Sequence, residues 1–303
     1  MHAHALRQPN EPFDRRNATP VQPYGPVAAA LPSVVAKLGY LKPTDERPYE
    51  YASEPPEGMP WRNCEYDMRE MRISDARGFS ASPLVHREGF ELWDAPSDVT
   101  NFGDEKAIVK VYYEEMADLA CRITGAARAY VFDHLVRKRE AGRPALTFGR
   151  LGNNSKPASN GRVHNDYTEQ SGQRRMQAVL KDAAAAVERY SIVNIWRSIG
   201  GPIVDTPLAV FDARTVSIAD LVPGEVRYSG RTGEIYYLTH SSRHRWSYYS
   251  AMDRHEALIF KQYDSQVSGV ARYTPHAAFD LPDAPSDAPL RESIELRCLV
   301  VYE

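Results

Sequence analysis

The chain has 303 residues, of which 43% are hydrophobic and 25% charged, and its formal net charge is -3 at pH 7. This length suits one large globular domain, and the slightly acidic balance argues against nucleic acid as a partner. Cys64, Cys121 and Cys298 are odd in number and widely spaced, which argues against a disulfide framework and fits a reducing compartment. With neither a signal-peptide core nor an apolar run of roughly 18 residues, we expect a cytoplasmic protein without a membrane partner.

The N-terminal part is rich in proline. Residues 1–65 are interpreted as an extended arm packed on the core, with one short helix near Ser33–Leu38. Residues 66–303 are expected to form a single domain. Strand-like stretches at Arg69–Asp75 and Gly89–Trp93 begin this domain.

Two helices are predicted in the first half of that domain. The clearer one begins at Asp104, a capping residue, carries an apolar stripe to Thr124 and ends at Gly125. A strand at Ala129–His134 then leads into a long polar loop. The second helix is expected at Glu169–Arg189, around a run of alanines that favour helix.

The second half of the chain is nearly all strand. Each stretch is short, β-branched or aromatic, and bounded by Gly, Pro, Asp or Ser. The stretches are Ile192–Trp196, Leu208–Phe211, Glu234–Thr239, Trp246–Ser250, Ala257–Tyr263 and Ser293–Tyr302. Helices followed by many short strands predict a mainly β fold with helical padding, namely a double-stranded β-helix, the jelly roll of cupin-like proteins. No Gly-rich phosphate loop follows a strand, which disfavours nucleotide-binding α/β folds.

The most specific local pattern is His164-Asn165-Asp166. In a strand, residues two apart share a face, so His164 and Asp166 can present an imidazole and a carboxylate to one point. One remote histidine would complete the 2-His-1-carboxylate triad of non-haem Fe(II) oxygenases. Such a triad leaves positions open for a bidentate co-substrate and O2. An isolated HxD pattern is also common in surface turns. Whether this one indicates a metal site therefore depends on the C-terminal residues.

Two histidines compete for the third position. His276 is preferred, because the strand that follows it carries Arg291 and Ser293. Arg291 can form a bidentate pair with the distal carboxylate of 2-oxoglutarate, and Ser293, on the same face, can donate its hydroxyl to that carboxylate. His244 is the alternative ligand, with Lys261 as its carboxylate partner. If His276 is the ligand, we expect His244 to line the substrate cavity or to be hydrogen-bonded in the core.

Alternation in the last strand supports this interpretation. The apolar face consists of Ile294, Leu296, Cys298 and Val300. The polar face consists of Arg291, Ser293, Glu295 and Arg297. Four polar groups on one face of a buried strand need partners, and a bound dicarboxylate would supply some of them. The other interpretation is a solvated edge strand with alternating charges.

Eight blocks of sequence point to a known family. They are FDH (132–134), VHNDY (163–167), NIWR (194–197), PLAVFDAR (207–214), HRWSYYSAM (244–252), EALIFKQYDS (256–265), HAAF (276–279) and RESIELR (291–297). From about residue 33 to its end, the chain resembles the CmcJ/NvfI (AsaB-type) family of non-haem iron oxidoreductases. The resemblance implies an oxygenase that uses Fe(II), 2-oxoglutarate and O2. Its substrate would be a small molecule of secondary or amino-acid metabolism, changed by hydroxylation, desaturation or oxidative cyclisation.

Trp246 and Phe279 join His244 as candidates for the substrate pocket, although aromatic residues on strands more often form core. Two other functions remain open. A cupin-like metal enzyme without 2-oxoglutarate would keep the triad and have no use for Arg291. A non-catalytic jelly-roll binding protein would carry the HxD pattern by chance.

Overall fold

A computed structural model of the protein describes residues 18–21, 31–139 and 161–303. Its strands form two sheets. The strands of the smaller sheet are β1 Thr19–Pro20, β5 Phe90–Asp94, β6 Arg128–Lys138, β8 Tyr190–Ser198, β13 Glu256–Asp264 and β15 Glu292–Val301. Those of the larger sheet are β2 Ser33–Leu41, β3 Tyr49–Tyr51, β4 Tyr66–Asp75, β7 His164–Asn165, β9 Leu208–Phe211, β10 Leu221–Tyr228, β11 Arg231–Leu238, β12 Trp246–Tyr248 and β14 His276–Ala278.

The smaller sheet has the strand order β1-β5-β13-β8-β15-β6, and the larger has β2-β4-β12-β9-β14-β7-β11-β10-β3. Apolar side chains from both sheets form one buried cluster, which includes Leu38 and Phe211 from the larger sheet and Ile192 and Leu299 from the smaller. Full burial of such a side chain contributes about 1.5–3 kcal/mol to the stability of the fold. The mainly β jelly roll predicted from the sequence is confirmed.

The predicted first helix is present, with one irregularity. Its segments are α1 Glu105–Ala107, a short π-helix at Ile108–Tyr112, and α2 Tyr113–Thr124. The Asp104 carboxylate accepts hydrogen bonds from the backbone N–H groups of the first turn, and Gly125 ends α2 with φ at 68°. The helix covers the outer face of the smaller sheet, where it meets the predicted apolar face of β15. These residues therefore provide the helical padding.

Two predictions about elements are wrong. The segment near Ser33–Leu38 is strand β2, not a helix, because it pairs antiparallel with β4 along its whole length. The second helix, α3, spans Glu169–Leu180 and is shorter than predicted. At Lys181 the backbone takes φ 51°, and the alanine run becomes a 3-10 turn at Lys181–Ala186. None of the residues in this turn is buried, so no packing favours a longer helix.

The proline-rich N-terminal part contributes strands to the larger sheet. β2 pairs with β4, and β3 pairs parallel with β10. The division into an arm of residues 1–65 and a domain of residues 66–303 stays a prediction. Most of the predicted polar loop lies outside the described residues. Within the described parts of the chain, no helix is both long and apolar enough to cross a bilayer.

Candidate metal centre

Two very short neighbouring strands bring the predicted ligands together. β14 lies between β9 and β7 in the larger sheet, and its antiparallel pairing with β7 places His276 directly opposite His164. The two imidazole rings are 4.4 Å apart between centroids. Asp166 follows β7, two residues after His164. One donor atom from each of these three side chains lies within 4.8 Å of the other two.

The imidazole of His164 is oriented by the backbone. Its Nδ1 lies 3.0 Å from the carbonyl oxygen of Arg162, so Nδ1 carries the proton and donates it there. The lone pair of Nε2 is therefore available to a metal ion, and this atom lies 3.5 Å from Oδ1 of Asp166. Burial, together with the neighbouring His276, lowers the pKa of His164 to about 4. The ring is therefore neutral at pH 7, which is the form that binds a metal.

Asp166 uses its two oxygens differently. Oδ2 accepts hydrogen bonds from Nδ2 of Asn194 at 2.9 Å and from Nε of Arg297 at 3.0 Å. Oδ1 is the oxygen nearer His164. Burial alone would raise the pKa of Asp166, but the charge of Arg297 and the histidine contacts hold it well below its usual value. The group is therefore a carboxylate with one oxygen fixed and the other available to a cation.

His276 completes a donor set suited to a divalent metal. Its ring is buried, and Phe260 packs against it at 4.9 Å between centroids. Its Nδ1 has no hydrogen-bond partner anywhere in the described structure. A buried polar atom without a partner is costly, and a neighbouring cation would relieve that cost. Two neutral imidazoles and one carboxylate are the donors of the Fe(II) facial triad, so these residues fit that ion.

Sequence reasoning missed a glutamine that ties the ligand segments together. Oε1 of Gln262 accepts a hydrogen bond from the backbone N–H of Asp166 at 2.7 Å. Its Nε2 donates to the carbonyl oxygen of Thr274 at 3.0 Å, two residues before His276. In addition, Asn165 donates to the backbone carbonyl of Gln262 at 2.8 Å. No spacing in the sequence points to Gln262, because its role depends on β13 lying beside both segments.

The residues predicted to bind a carboxylate lie at the start of the last strand. Arg291 is buried, donating from Nη1 to the carbonyl oxygen of Thr206 at 2.9 Å. Its Nε and the Oγ of Ser293 are buried and have no partner among the described residues. Burial, and then the charge of Arg137 opposite Ser293, lowers the pKa of Arg291 to about 10. A buried cation and a hydroxyl, both with unused donors, suit an anionic group.

The last strand also supplies Arg297, which faces the same interior but is already engaged. Besides Asp166, it contacts the carboxylates of Asp133 at 3.0 Å and Glu295 at 2.8 Å. Three carboxylates around one guanidinium leave it little capacity for a further anion. Arg297 therefore supports the candidate metal ligand, whereas Arg291 retains an unused donor.

The predicted substrate residues lie in an aromatic part of the core. His244 contacts the Tyr40 hydroxyl through Nδ1 at 3.1 Å and the Asp220 carboxylate through Nε2 at 3.2 Å. Trp246 donates to the same hydroxyl at 2.9 Å. Neither His244 nor Trp246 belongs to the group of candidate metal ligands, which consists of His164, Asp166 and His276. Phe279 is also buried and packs edge-on against Tyr248, with ring centroids 5.4 Å apart.

Both ring nitrogens of His244 have hydrogen-bond partners in the core. Hydrogen bonding in the core is one of the two roles expected for His244 if His276 is the ligand. Contact of His244, Trp246 or Phe279 with a substrate stays a prediction. Lys261, the alternative carboxylate partner, is fully buried and lies 2.7 Å from an oxygen of Asp264.

Comparison with known proteins gives this geometry its context. Residues 38–301 match the family described as Oxidoreductase/YMDC permease-like domain. The chain belongs to this family. It is 31% identical over 257 residues to hydroxylase/desaturase efuI of Hormonema carpetanum, covering 78% of this chain and 85% of that protein. It is 31% identical over 264 residues to the Fe(II)/2-oxoglutarate-dependent dioxygenase nvfI of Aspergillus novofumigatus, covering 82% and 89%.

A solved structure extends the likeness to three dimensions. The iron and alpha-ketoglutarate-dependent endoperoxidase NvfI superposes with a TM-score of 0.78 at 27% identity, covering 89% of this chain and 98% of that one. The resemblance to the CmcJ/NvfI family that the eight sequence blocks carry is confirmed.

Proposed function

We propose that the protein is an Fe(II)- and 2-oxoglutarate-dependent oxygenase that oxidises a small molecule of secondary metabolism. The observation that carries the proposal is the convergence of His164, Asp166 and His276, with one donor atom of each within 4.8 Å of the others. The names of the relatives support the same chemistry. The two unpaired donors on Arg291 and Ser293 support 2-oxoglutarate as the co-substrate.

Each residue has a distinct task in this proposal. His164, Asp166 and His276 would hold the iron, which together with 2-oxoglutarate and O2 supplies the oxidising power. Asn194 and Arg297 fix Oδ2 of Asp166, which would leave Oδ1 to hold the metal. Arg291 and Ser293 would receive the distal carboxylate of 2-oxoglutarate.

The decisive experiment combines binding and turnover. Anaerobic addition of Fe(II) and 2-oxoglutarate should produce the visible charge-transfer band of the chelated ion, and air should then yield succinate. His164→Ala and Asp166→Ala should each abolish both signals and keep the far-UV circular dichroism of the wild type. Full activity of either variant at stoichiometric iron would disprove the ligand assignment. Iron binding without succinate would favour the cupin-like enzyme that does not use 2-oxoglutarate.

The third ligand is tested by a pair of histidine variants. His276→Ala should lose iron, because it removes the donor opposite His164. His244→Ala should retain iron, because the His244 ring is hydrogen-bonded to Tyr40 and Asp220 outside the donor group. Metal content after dialysis distinguishes the two variants. The opposite result would make His244 the ligand and Lys261 the carboxylate partner to examine.

The location of the protein is part of the proposal. We propose a cytoplasmic enzyme, supported by three cysteines that are all free, two of them buried. A fluorescent fusion observed in the source cell tests this location. Recovery of the protein in a secreted or membrane fraction would contradict it.

A further inference from the structure

A cavity of about 300 Å³ adjoins the candidate metal centre. Asp166 and Arg297 form part of its lining, so the cavity borders one of the three candidate ligands. One wall is the face of α3 that carries Arg175, and the other is the hairpin of β10 and β11, which includes Val226 and Ile235. A small molecule in this cavity can therefore lie beside Asp166.

Arginines dominate the charge of this cavity, and two of them are already neutralised. Arg174 lies 3.4 Å from a carboxylate oxygen of Glu234. Arg297 contacts Asp166 and Asp133, both of which also line the cavity. These pairs account for all three acidic residues in the lining. Among the described lining residues, no carboxylate is left for a further cation in the wall.

Arg175 and Arg231 are the two further cations. Arg175 is half-buried and lies over the ring of Phe132 at 4.7 Å, and Arg231 lies over the ring of Tyr228 at 4.2 Å. Within the described parts of the chain, neither has an acidic partner within salt-bridge distance. Contact with a ring face orients a guanidinium and leaves its edge N–H groups free to bind an anion.

We propose that the substrate of this enzyme carries a carboxylate, which Arg175 and Arg231 bind in the cavity wall, while its apolar part lies against Val226 and Ile235 near Asp166. This inference rests on the proposed function, because it takes Asp166 as a ligand of the reacting metal. The carboxylate would fix which end of the molecule points away from the metal. It would thereby select the carbon that is oxidised.

The test compares two probes of nearly equal shape, 4-phenylbutyrate and the neutral 4-phenylbutanamide. Calorimetric titration of the protein loaded anaerobically with Fe(II) and 2-oxoglutarate should show the acid binding at least about ten-fold more tightly than the amide. Arg175→Gln and Arg231→Gln should each weaken binding of the acid by about ten-fold and leave the amide unchanged. The double variant should lose the preference.

Arg72→Gln is the matched control, because Arg72 is exposed on β4 and its loss changes the net charge equally. This variant should keep the full preference for the acid. Affinity for 2-oxoglutarate, followed by the visible band, should be unchanged in all the variants. Equal binding of acid and amide to the wild type would overturn the inference. So would weaker binding of 2-oxoglutarate by the Arg175 and Arg231 variants, since the arginines would then serve the co-substrate.

Repeating the titration with metal-free protein separates this inference from the proposed function. If the protein binds neither iron nor 2-oxoglutarate but still prefers the acid through Arg175 and Arg231, the proposed function fails and carboxylate recognition stands. If it binds both and produces succinate yet shows no preference for the acid, the oxygenase stands and the inference fails.

Discussion

Asp166 is the side chain on which the candidate centre depends most. Its outer oxygen is held by two donors on neighbouring strands, Asn194 on β8 and Arg297 on β15. These donors fix the direction of the carboxylate before any metal arrives. Such outer contacts are typically worth 10–100-fold in metal affinity. Asn194 therefore acts through Asp166 and is a positioning residue.

This role gives a prediction for Asn194→Ala. The variant should bind Fe(II) about 10- to 100-fold more weakly, because Asp166 loses one of the two donors that orient it. A competition titration with a chromogenic chelator measures the change. The residual activity at saturating iron should approach that of the wild type, since no ligand has been removed. Unchanged iron affinity would mean that Arg297 alone orients the carboxylate.

A second prediction concerns Arg291. Truncating one partner of a buried charge pair costs about 2–5 kcal/mol, which is roughly 30- to several-thousand-fold in affinity. Arg291→Ala should therefore raise the apparent constant for 2-oxoglutarate steeply, and Ser293→Ala should raise it mildly. Arg291→Lys should restore only part of the affinity, because an ammonium lacks the planar fork. If Arg291→Ala leaves the constant unchanged, the co-substrate binds elsewhere.

How much of the site was predictable follows from sequence distance. His164 and Asp166 are two residues apart, so the geometry of a strand was enough to pair them. Arg291 and Ser293 could be placed on one face in the same way. Asn194 and Gln262 meet Asp166 only through the pairing of distant strands, and no local pattern encodes that pairing. Local spacing therefore predicts candidate ligands better than the residues that hold them.

At the scale of elements, α3 is fitted closely against β13. A Cβ added at Gly172 would lie 2.9 Å from Cγ of Tyr263, closer than carbon atoms normally approach. Only glycine allows the helix to approach the strand this closely. Because α3 also carries Arg174 and Arg175, this contact helps to position one wall of the cavity.

We expect Gly172→Ala to destabilise the protein by about 1–3 kcal/mol, because overpacking must displace the Tyr263 ring or the helix. The gain in helix propensity, about 1 kcal/mol, opposes this cost but does not exceed it. Urea unfolding measures the difference. Gly201→Ala is the control, since a Cβ there meets nothing within 4 Å. Equal stability of both variants would show that α3 can move outward freely.

The misprediction of β2 has a clear cause. β2 contains Val34 and Val35, whose β-branched side chains suit a strand, but the surrounding prolines suggested an irregular arm. Its ladder with β4, from Ser33 opposite Ser74 to Leu41 opposite Tyr66, decides its conformation. In contrast, the helix after Asp104 was predictable because its cap, stripe and terminating glycine are all local. Contacts between distant segments are what the sequence does not display.

At the scale of the whole molecule, a buried ion network links the middle of the smaller sheet to the chain near its end. Lys261 and Arg189 both contact the Asp264 carboxylate, at 2.7 and 3.1 Å. Ser191 donates to the same carboxylate at 2.9 Å and also contacts the Tyr302 hydroxyl at 3.0 Å. Burial lowers the pKa of Lys261, while Asp264 opposes that shift. This network lies apart from the group of candidate metal donors.

Lys261→Met should therefore reduce stability without affecting the metal. Removing one partner of a buried ion pair typically costs about 3–5 kcal/mol, and Arg189 should keep the loss near the lower value. Chemical denaturation provides the measurement, and iron content at low denaturant provides the control. A parallel loss of iron affinity would show that the network and the metal centre are coupled. It would also revive Lys261 as a residue of the active site.

The shortness of β7 and β14 has a consequence for local opening of the larger sheet. Two residues in one strand and three in the other carry both imidazoles, and they face each other at a single pair of residues. We expect so short a ladder to open at less than the global unfolding free energy. An ion held by residues of both strands would stabilise the paired state. At an ion concentration one hundred times its dissociation constant, this stabilisation is about 2.7 kcal/mol.

Amide deuteration followed by mass spectrometry should therefore slow by up to about a hundred-fold in peptides covering 163–166 and 274–278 when Fe(II) is added anaerobically. Peptides from β8 and β13, which are paired over nine-residue strands, should exchange slowly in either state. Uniform slowing along the chain would mean that the metal stabilises only the globally folded state. Local slowing would mean that the pairing of β7 with β14 opens transiently in the metal-free enzyme. Bound iron would then keep these two strands together.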